Sequence, residues 1–176
     1  SHGQKDLIFT KNNQSFYDLS FSAGTLILGH NSEIFKRAVK LITKKKLSLF
    51  AHPNTQASEF SKTIKKIFPS FSKIIFCNTG SEAVLKSLRI SRSLNNKKKI
   101  VSVSGSWHGS VDKLLFQPKK NLKPVEISAG LEKFDKKNLL FIPYNDLEKT
   151  KKILEKNKKK INCIIIEPIQ GSLPVT

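Results

Sequence analysis

The sequence predicts an α/β fold with a mainly parallel sheet. Two observations carry that prediction. Short apolar runs rich in β-branched residues recur at 74–77, 100–103, 139–142 and 161–166. Between them lie segments with apolar residues at helical spacing, at 81–94 and 146–157. Strands buried on both faces read as continuous apolar runs, and alternation with helices is the pattern of parallel βαβ units.

The elements follow in order. Residues 7–10 and 15–19 form a hairpin or meander around the polar turn Lys11-Asn12-Asn13-Gln14. Asn31 or Ser32 caps a helix with Ile34, Phe35, Ala38, Leu41 and Ile42 at helical spacing and Lys44-Lys45-Lys46 at its end. A second helix starts near Asn54 or Thr55. It carries a buried stripe of Ala57, Phe60, Ile64, Ile67 and Phe68, and Pro69 stops it. The strand–helix alternation then begins. Residues 117–137, polar and punctuated by Pro118, Pro124 and Gly130, read as a mobile surface excursion.

The composition narrows the class. At 176 residues and 38% hydrophobic content the chain can build a real core. No run reaches the ~18–20 apolar residues of a membrane span, and the N-terminal residues lack the apolar core of a signal peptide. Cys77 and Cys163 lie in or beside apolar runs and read as buried, reduced thiols of a cytoplasmic protein. The formal charge of +19 raises the question of nucleic acid or an anionic membrane. The lysine runs, such as Lys97-Lys98-Lys99 and Lys158-Lys159-Lys160, fall at helix ends and in loops, and aromatics are not interleaved with them. That is the pattern of a solvated surface, so neither nucleic acid nor membrane is an expected partner.

Three places carry chemistry. At Asn78-Thr79-Gly80-Ser81-Glu82-Ala83 an apolar run turns directly into a helix, which presents backbone N–H groups and two hydroxyls. Such a helix start can seat a phosphate, or it can be a plain N-cap. Gly105-Ser106-Trp107-His108-Gly109-Ser110 follows the 100–103 strand and holds the only Trp. Its ring either covers something flat or packs the loop onto the core, with His108 then a surface imidazole. Glu167-Pro168 ends the 161–166 strand, as a ligand-facing carboxylate or a simple strand terminator. Ligands of open α/β sheets bind beyond the carboxyl ends of strands, where all three lie.

Together these motifs resemble the class III (fold type I) pyridoxal-phosphate aminotransferases, and most closely the glutamate-1-semialdehyde 2,1-aminomutase branch. Thr79-Gly80-Ser81-Glu82-Ala83 matches the family's phosphate cup, Ser106-Trp107-His108-Gly109 its aromatic-His-Gly loop, and Ile166-Glu167-Pro168-Ile169-Gln170-Gly171 its Glu-Pro strand end. Leu26-Ile27-Leu28-Gly29-His30 and Pro143-Tyr144-Asn145-Asp146-Leu147 extend the match along the chain. The resemblance implies the three-layer αβα form of the fold. Residues 51–176 would be an incomplete cofactor-binding large domain and residues 1–50 part of a small N-terminal domain. It implies pyridoxal 5'-phosphate as cofactor, bound by Thr79, Gly80 and Ser81 at the phosphate, with Trp107 stacked on the ring. His108 would line the cofactor side of the loop, and Glu167 would support the group that pairs with the ring nitrogen. Ser172, where many ω-aminotransferases carry a Glu, favours the aminomutase-like or sugar-type branch.

The implied activity is amino-group transfer on a small amino acid, semialdehyde or keto-sugar by a homodimer. No catalytic residue is assigned and no metal is implied. The family's Schiff-base Lys and ring-nitrogen Asp lie downstream of the Glu-Pro strand, so the chain reads as an N-terminal-to-middle fragment that is inactive alone. The rival reading is a non-catalytic basic α/β protein that binds phosphates or nucleic acid at the 79–81 helix end.

Overall fold

A computed structural model of the chain describes residues 1–47 and 52–171. It divides into two units, Ser1–Lys73 and Ile74–Thr176. The boundary expected at residues 50 and 51 lies outside the described residues, as does Ser172.

In the first unit the meander has three antiparallel strands, β1 (His2–Gln4), β2 (Leu7–Phe9) and β3 (Ser15–Tyr17), in that order. The first strand was not foreseen, because His-Gly-Gln has no strand propensity of its own. It is held by pairing with β2, His2 opposite Phe9, and by the stacking of those two rings at 4.7 Å. Helix α1 (Glu33–Lys45) starts at Ser32, whose hydroxyl accepts from the Phe35 amide. Helix α2 (Thr55–Ile67) starts at Asn54, whose side chain accepts from the Ala57 amide at 2.8 Å.

The predicted burial of the α2 stripe does not hold. Phe60, Ile67 and Phe68 are half or more exposed, and Asp18 is the single buried residue among those described in this unit. The helical period is there, but an apolar stripe is buried only where another element covers it.

The second unit holds the core. Helix α3 (Gly80–Leu94) leads into strand β4 (Lys99–Val103). An antiparallel pair follows, β5 (Phe116–Pro118) with β6 (Pro124–Glu126), and then the short helix α4 (Lys133–Asn138). Strand β7 (Leu139–Ile142), helix α5 (Leu147–Asn157) and strand β8 (Ile161–Ile165) complete the unit. The sheet order is β7-β4-β8 and both pairings are parallel, with Val101 opposite Leu140 on one side and Ile164 on the other. This is the predicted α/β arrangement, and it brings the carboxyl ends of β4, β7 and β8 to one edge.

Leu88, Ile100, Val111, Leu114, Phe116, Leu139 and Phe141 form the buried cluster. Each fully buried side chain of this kind contributes about 1.5–3 kcal/mol. Asn162 on β8 anchors α3 to the sheet: it accepts from the Ser91 hydroxyl at 2.8 Å and donates to the Ser91 carbonyl and the Asn95 side chain. The C-terminal end of α3 is thereby fixed relative to the sheet.

Four expectations are corrected here. Residues 74–77 form no strand: a β-branched run becomes one only when a neighbouring strand completes its ladder. The 161–166 strand ends at Ile165. The polar 117–137 stretch is substantially folded, because Phe116 at its root is 3% exposed and Asp135 is buried against Lys113. Both cysteines are free but only partly buried. No helix among the described residues is long and apolar enough to cross a membrane.

Candidate active site

The site is built by three segments of the second unit that meet beyond the strand ends. At the start of α3, Thr79 is the N-cap, and its hydroxyl accepts from the Glu82 amide at 3.1 Å. The Glu82 carboxylate turns back and accepts from the Asn78 amide at 2.7 Å. This pair is a capping box shifted by one residue, since the carboxylate takes the amide before the N-cap rather than that of Thr79 itself. It uses the Asn78 and Glu82 amides and leaves those of Gly80 and Ser81 without a partner among the described residues. A Cβ added at Gly80 would meet nothing within 4 Å among the described residues, so the first turn of the helix is open beside Gly80. The positive end of the α3 dipole and two unbonded N–H groups lie at that open turn.

The second segment leaves β4 at Val103. The Ser104 amide donates to the Ile142 carbonyl at 2.9 Å, and Gly105 turns the chain in the left-handed region, φ +83°. Trp107 is 55% exposed, whereas His108 points the other way and is 8% exposed. Nε2 of His108 lies 3.2 Å from the Ser102 hydroxyl on β4. Burial lowers the His108 pKa from its usual 6.5, and the Glu167 carboxylate opposes that shift. His108 is therefore no surface imidazole.

Gly109 then brings the loop against α3. Its φ is +77°, and a Cβ there would stand 2.4 Å from the Ser81 hydroxyl oxygen. That close approach lets the Ser110 amide donate to Ser81 Oγ at 2.9 Å.

The third segment follows β8. Glu167 accepts from the Trp107 amide at 2.9 Å, and Gln170 donates to the Ser104 carbonyl at 3.1 Å and to the Ser106 hydroxyl at 2.9 Å.

The structure thus joins Ser81 to the loop after Trp107, and Trp107 to Glu167. Thr79, Gly80 and Ser81 stand together at the helix start. A cleft of about 400 Å³ at this point is lined by Thr79, Ser81, Ser110, Lys113 and Asp135 among others, but not by Trp107, His108 or Glu167. Sequence reasoning gave no role to Gly109, Ser110, Lys113 or Gln170. The Gly after Trp-His was the available signal for the close approach. The amide of Ser110 and the side chain of Gln170 act through contacts 29 and 64–66 residues distant, which no local pattern shows.

Comparison with known proteins gives the family. The sequence pattern of "Aminotransferase class-III" matches residues 2–175. The chain is 34% identical over 174 residues to a glutamate-1-semialdehyde 2,1-aminomutase of Archaeoglobus fulgidus, covering 98% of this chain and 41% of that protein. It is 36% identical over 172 residues to the aminomutase of the same name from Wigglesworthia glossinidia brevipalpis, covering 94% and 39%. Among solved structures, a transaminase with PLP bound superposes with a TM-score of 0.87 at 22% identity, over 100% of this chain and 42% of that one. A glutamate-1-semialdehyde aminomutase from Pseudomonas aeruginosa PAO1 gives 0.79 at 17% identity, over 100% and 39%. These likenesses show the fold. The chain spans about two fifths of the length of the curated relatives it matches. It belongs to the class III aminotransferases.

Proposed function

We propose that the protein transfers amino groups with pyridoxal 5'-phosphate and that this chain supplies one wall of the cofactor pocket. The observation that carries the reading is the start of α3. Two unbonded amides, Gly80 and Ser81, sit at the positive end of a 15-residue helix with open space beside Gly80. A phosphate needs N–H donors, positive potential and room, and the residues present fit it. The cofactor supplies the electron sink for carbanion chemistry when bound.

The chain's own residues bind and orient. Gly80 and Ser81 hold the phosphate by their amides, and the Thr79 hydroxyl, already an acceptor in the cap, can still donate its proton. Trp107 lies over one face of the ring. His108, neutral and pinned on Ser102, supports the loop from beneath, and Glu167 holds the Trp107 backbone in place. Glu82 is an unfavourable charge in the first turn, and its carboxylate is turned back onto the Asn78 amide. No residue of this chain is proposed to carry the amino transfer itself.

The curated relatives favour the aminomutase branch, since those most similar here bear that name at 29–36% identity. The reading includes small-molecule amino donors and acceptors, a homodimer and a cytoplasmic location. It is tested on the full-length protein with pyridoxal phosphate and glutamate-1-semialdehyde. Transfer of the amino group from carbon 2 to carbon 1, followed by NMR, supports it. Ser81→Ala keeps the amide but removes the hydroxyl that accepts from the Ser110 amide, so it frees the Trp107 loop from the helix start and weakens cofactor retention. A protein that neither binds pyridoxal phosphate nor consumes the semialdehyde refutes the reading.

A further inference from the structure

Gln170 is where the strand β8 side of the site grips the Trp107 loop. Its amide nitrogen donates twice, to the Ser104 carbonyl at 3.1 Å and the Ser106 hydroxyl at 2.9 Å. A carbonyl can only accept, so the nitrogen and not the oxygen must face Ser104. The oxygen, Oε1, is then left buried, and it is the one buried side-chain polar atom without a partner among the described residues. An unsatisfied buried acceptor costs stability. A methionine would fill the same space without that cost, so packing alone does not ask for an amide here.

With Glu167 accepting from Trp107, the segment after β8 holds the loop at three successive points, Ser104, Ser106 and Trp107. The far end of the loop is held separately by the Ser110 amide on Ser81. Between the two anchors stands the exposed Trp107 ring.

We propose that Gln170 is a positioning residue: its amide sets the height of the Trp107 loop over the strand ends, and so where the indole meets the cofactor ring. The inference rests on the cofactor reading above. Gln170 touches no reacting atom in this scheme and acts only through the loop.

The chain has a single Trp, which gives a direct readout. Indole fluorescence of the full-length protein is measured with and without Trp107→Phe, and the difference isolates Trp107. The first experiment uses cofactor-free protein and acrylamide as quencher. Gln170→Met, which keeps the volume and removes the donor, should raise the Trp107 quenching constant about twofold or more, as expected for a loop that has lost buried hydrogen bonds. Ser106→Ala, which removes one acceptor only, should move it in the same direction by less. Far-UV circular dichroism verifies that both variants are folded. Pyridoxal phosphate is then titrated into each protein, and its quenching of Trp107 should be reduced in Gln170→Met. Unchanged acrylamide and cofactor quenching in both variants, with the cofactor still bound, overturns the role of Gln170 and leaves the cofactor reading intact. A loop loosened by Gln170→Met in a protein that never binds pyridoxal phosphate overturns the cofactor reading, and the last step of the proposal with it.

Discussion

Gly109→Ala tests the contact that holds the Trp107 loop to the phosphate seat. Two costs can be worked from the structure. At φ +77° any residue with a Cβ is strained, by about 1–2 kcal/mol. The new Cβ would also lie 2.4 Å from Ser81 Oγ and 3.0 Å from Ser81 Cα, where 3.4–4 Å is ordinary contact. The hydroxyl can rotate away, but the Cα belongs to the helix backbone and cannot. Rotating the hydroxyl gives up its bond from the Ser110 amide, worth about 0.5–1.5 kcal/mol. The sum is about 1.5–3.5 kcal/mol of stability. Gly130→Ala is the internal control, because its φ is +83° and a Cβ there meets nothing within 4 Å. It should lose only the conformational part, about 1–2 kcal/mol.

The assay is denaturant unfolding of the full-length protein at fixed cofactor concentration, with both variants and with Ser81→Ala added to each. In the Ser81→Ala background the Gly109→Ala cost should fall by about 1 kcal/mol, because the hydrogen bond is already gone. The reasoning is refuted if Gly109→Ala costs no more than Gly130→Ala.

Thr79→Ala removes the N-cap of α3 and should cost about 1 kcal/mol by the same assay, with Thr79→Ser restoring most of it. His108 titrates below its usual 6.5 in the folded protein because it is buried, so the unfolded chain binds the extra proton first. Its contribution to stability is therefore present above pH 6.5 and is lost as pH falls from there towards the lowered folded value. Unfolding midpoints of wild type between pH 5 and 8 should show that loss, and His108→Gln should flatten it. In the first unit, the hydrogen bond from His30 holds the Asp18 carboxyl at about 2, below its usual 3.8. Its stabilisation is present above pH 3.8 and disappears as pH falls through about 2; an NMR titration of Asp18 with a midpoint near the ordinary value would contradict this.

The fold is legible in the sequence where the signal is local. Apolar runs bounded by turn residues located β4, β7 and β8, and Asp146 and Thr79 capped helices that a cap rule finds. Residues 107 and 167 follow β4 and β8, whose carboxyl ends share one edge of the parallel sheet, and Ser81 reaches the same loop through the Ser110 amide. The fold is not legible where a partner decides the outcome. Residues 74–77 have the composition of a strand but are not in one, and the α2 stripe has the period of a buried face but stays largely exposed. The His-Gly-Gln strand is formed by its neighbour. The polar 117–137 stretch misled because one buried Phe and one buried ion pair outweigh many exposed lysines. Within the site, the inward turn of His108 and the grip of Gln170 come from contacts across the sheet edge, which spacing along the chain does not encode.

The central claim is that the open amides of α3 and the Trp107 loop form one wall of a single cofactor pocket. The most direct measurement is a pyridoxal-phosphate titration of the full-length protein that follows Trp107 fluorescence, corrected with Trp107→Phe, in wild type and Ser81→Ala. The account predicts saturable quenching of Trp107 in wild type, with the midpoint moved to higher cofactor concentration by Ser81→Ala. Cofactor binding that leaves Trp107 unquenched, or that is indifferent to Ser81→Ala, would contradict it.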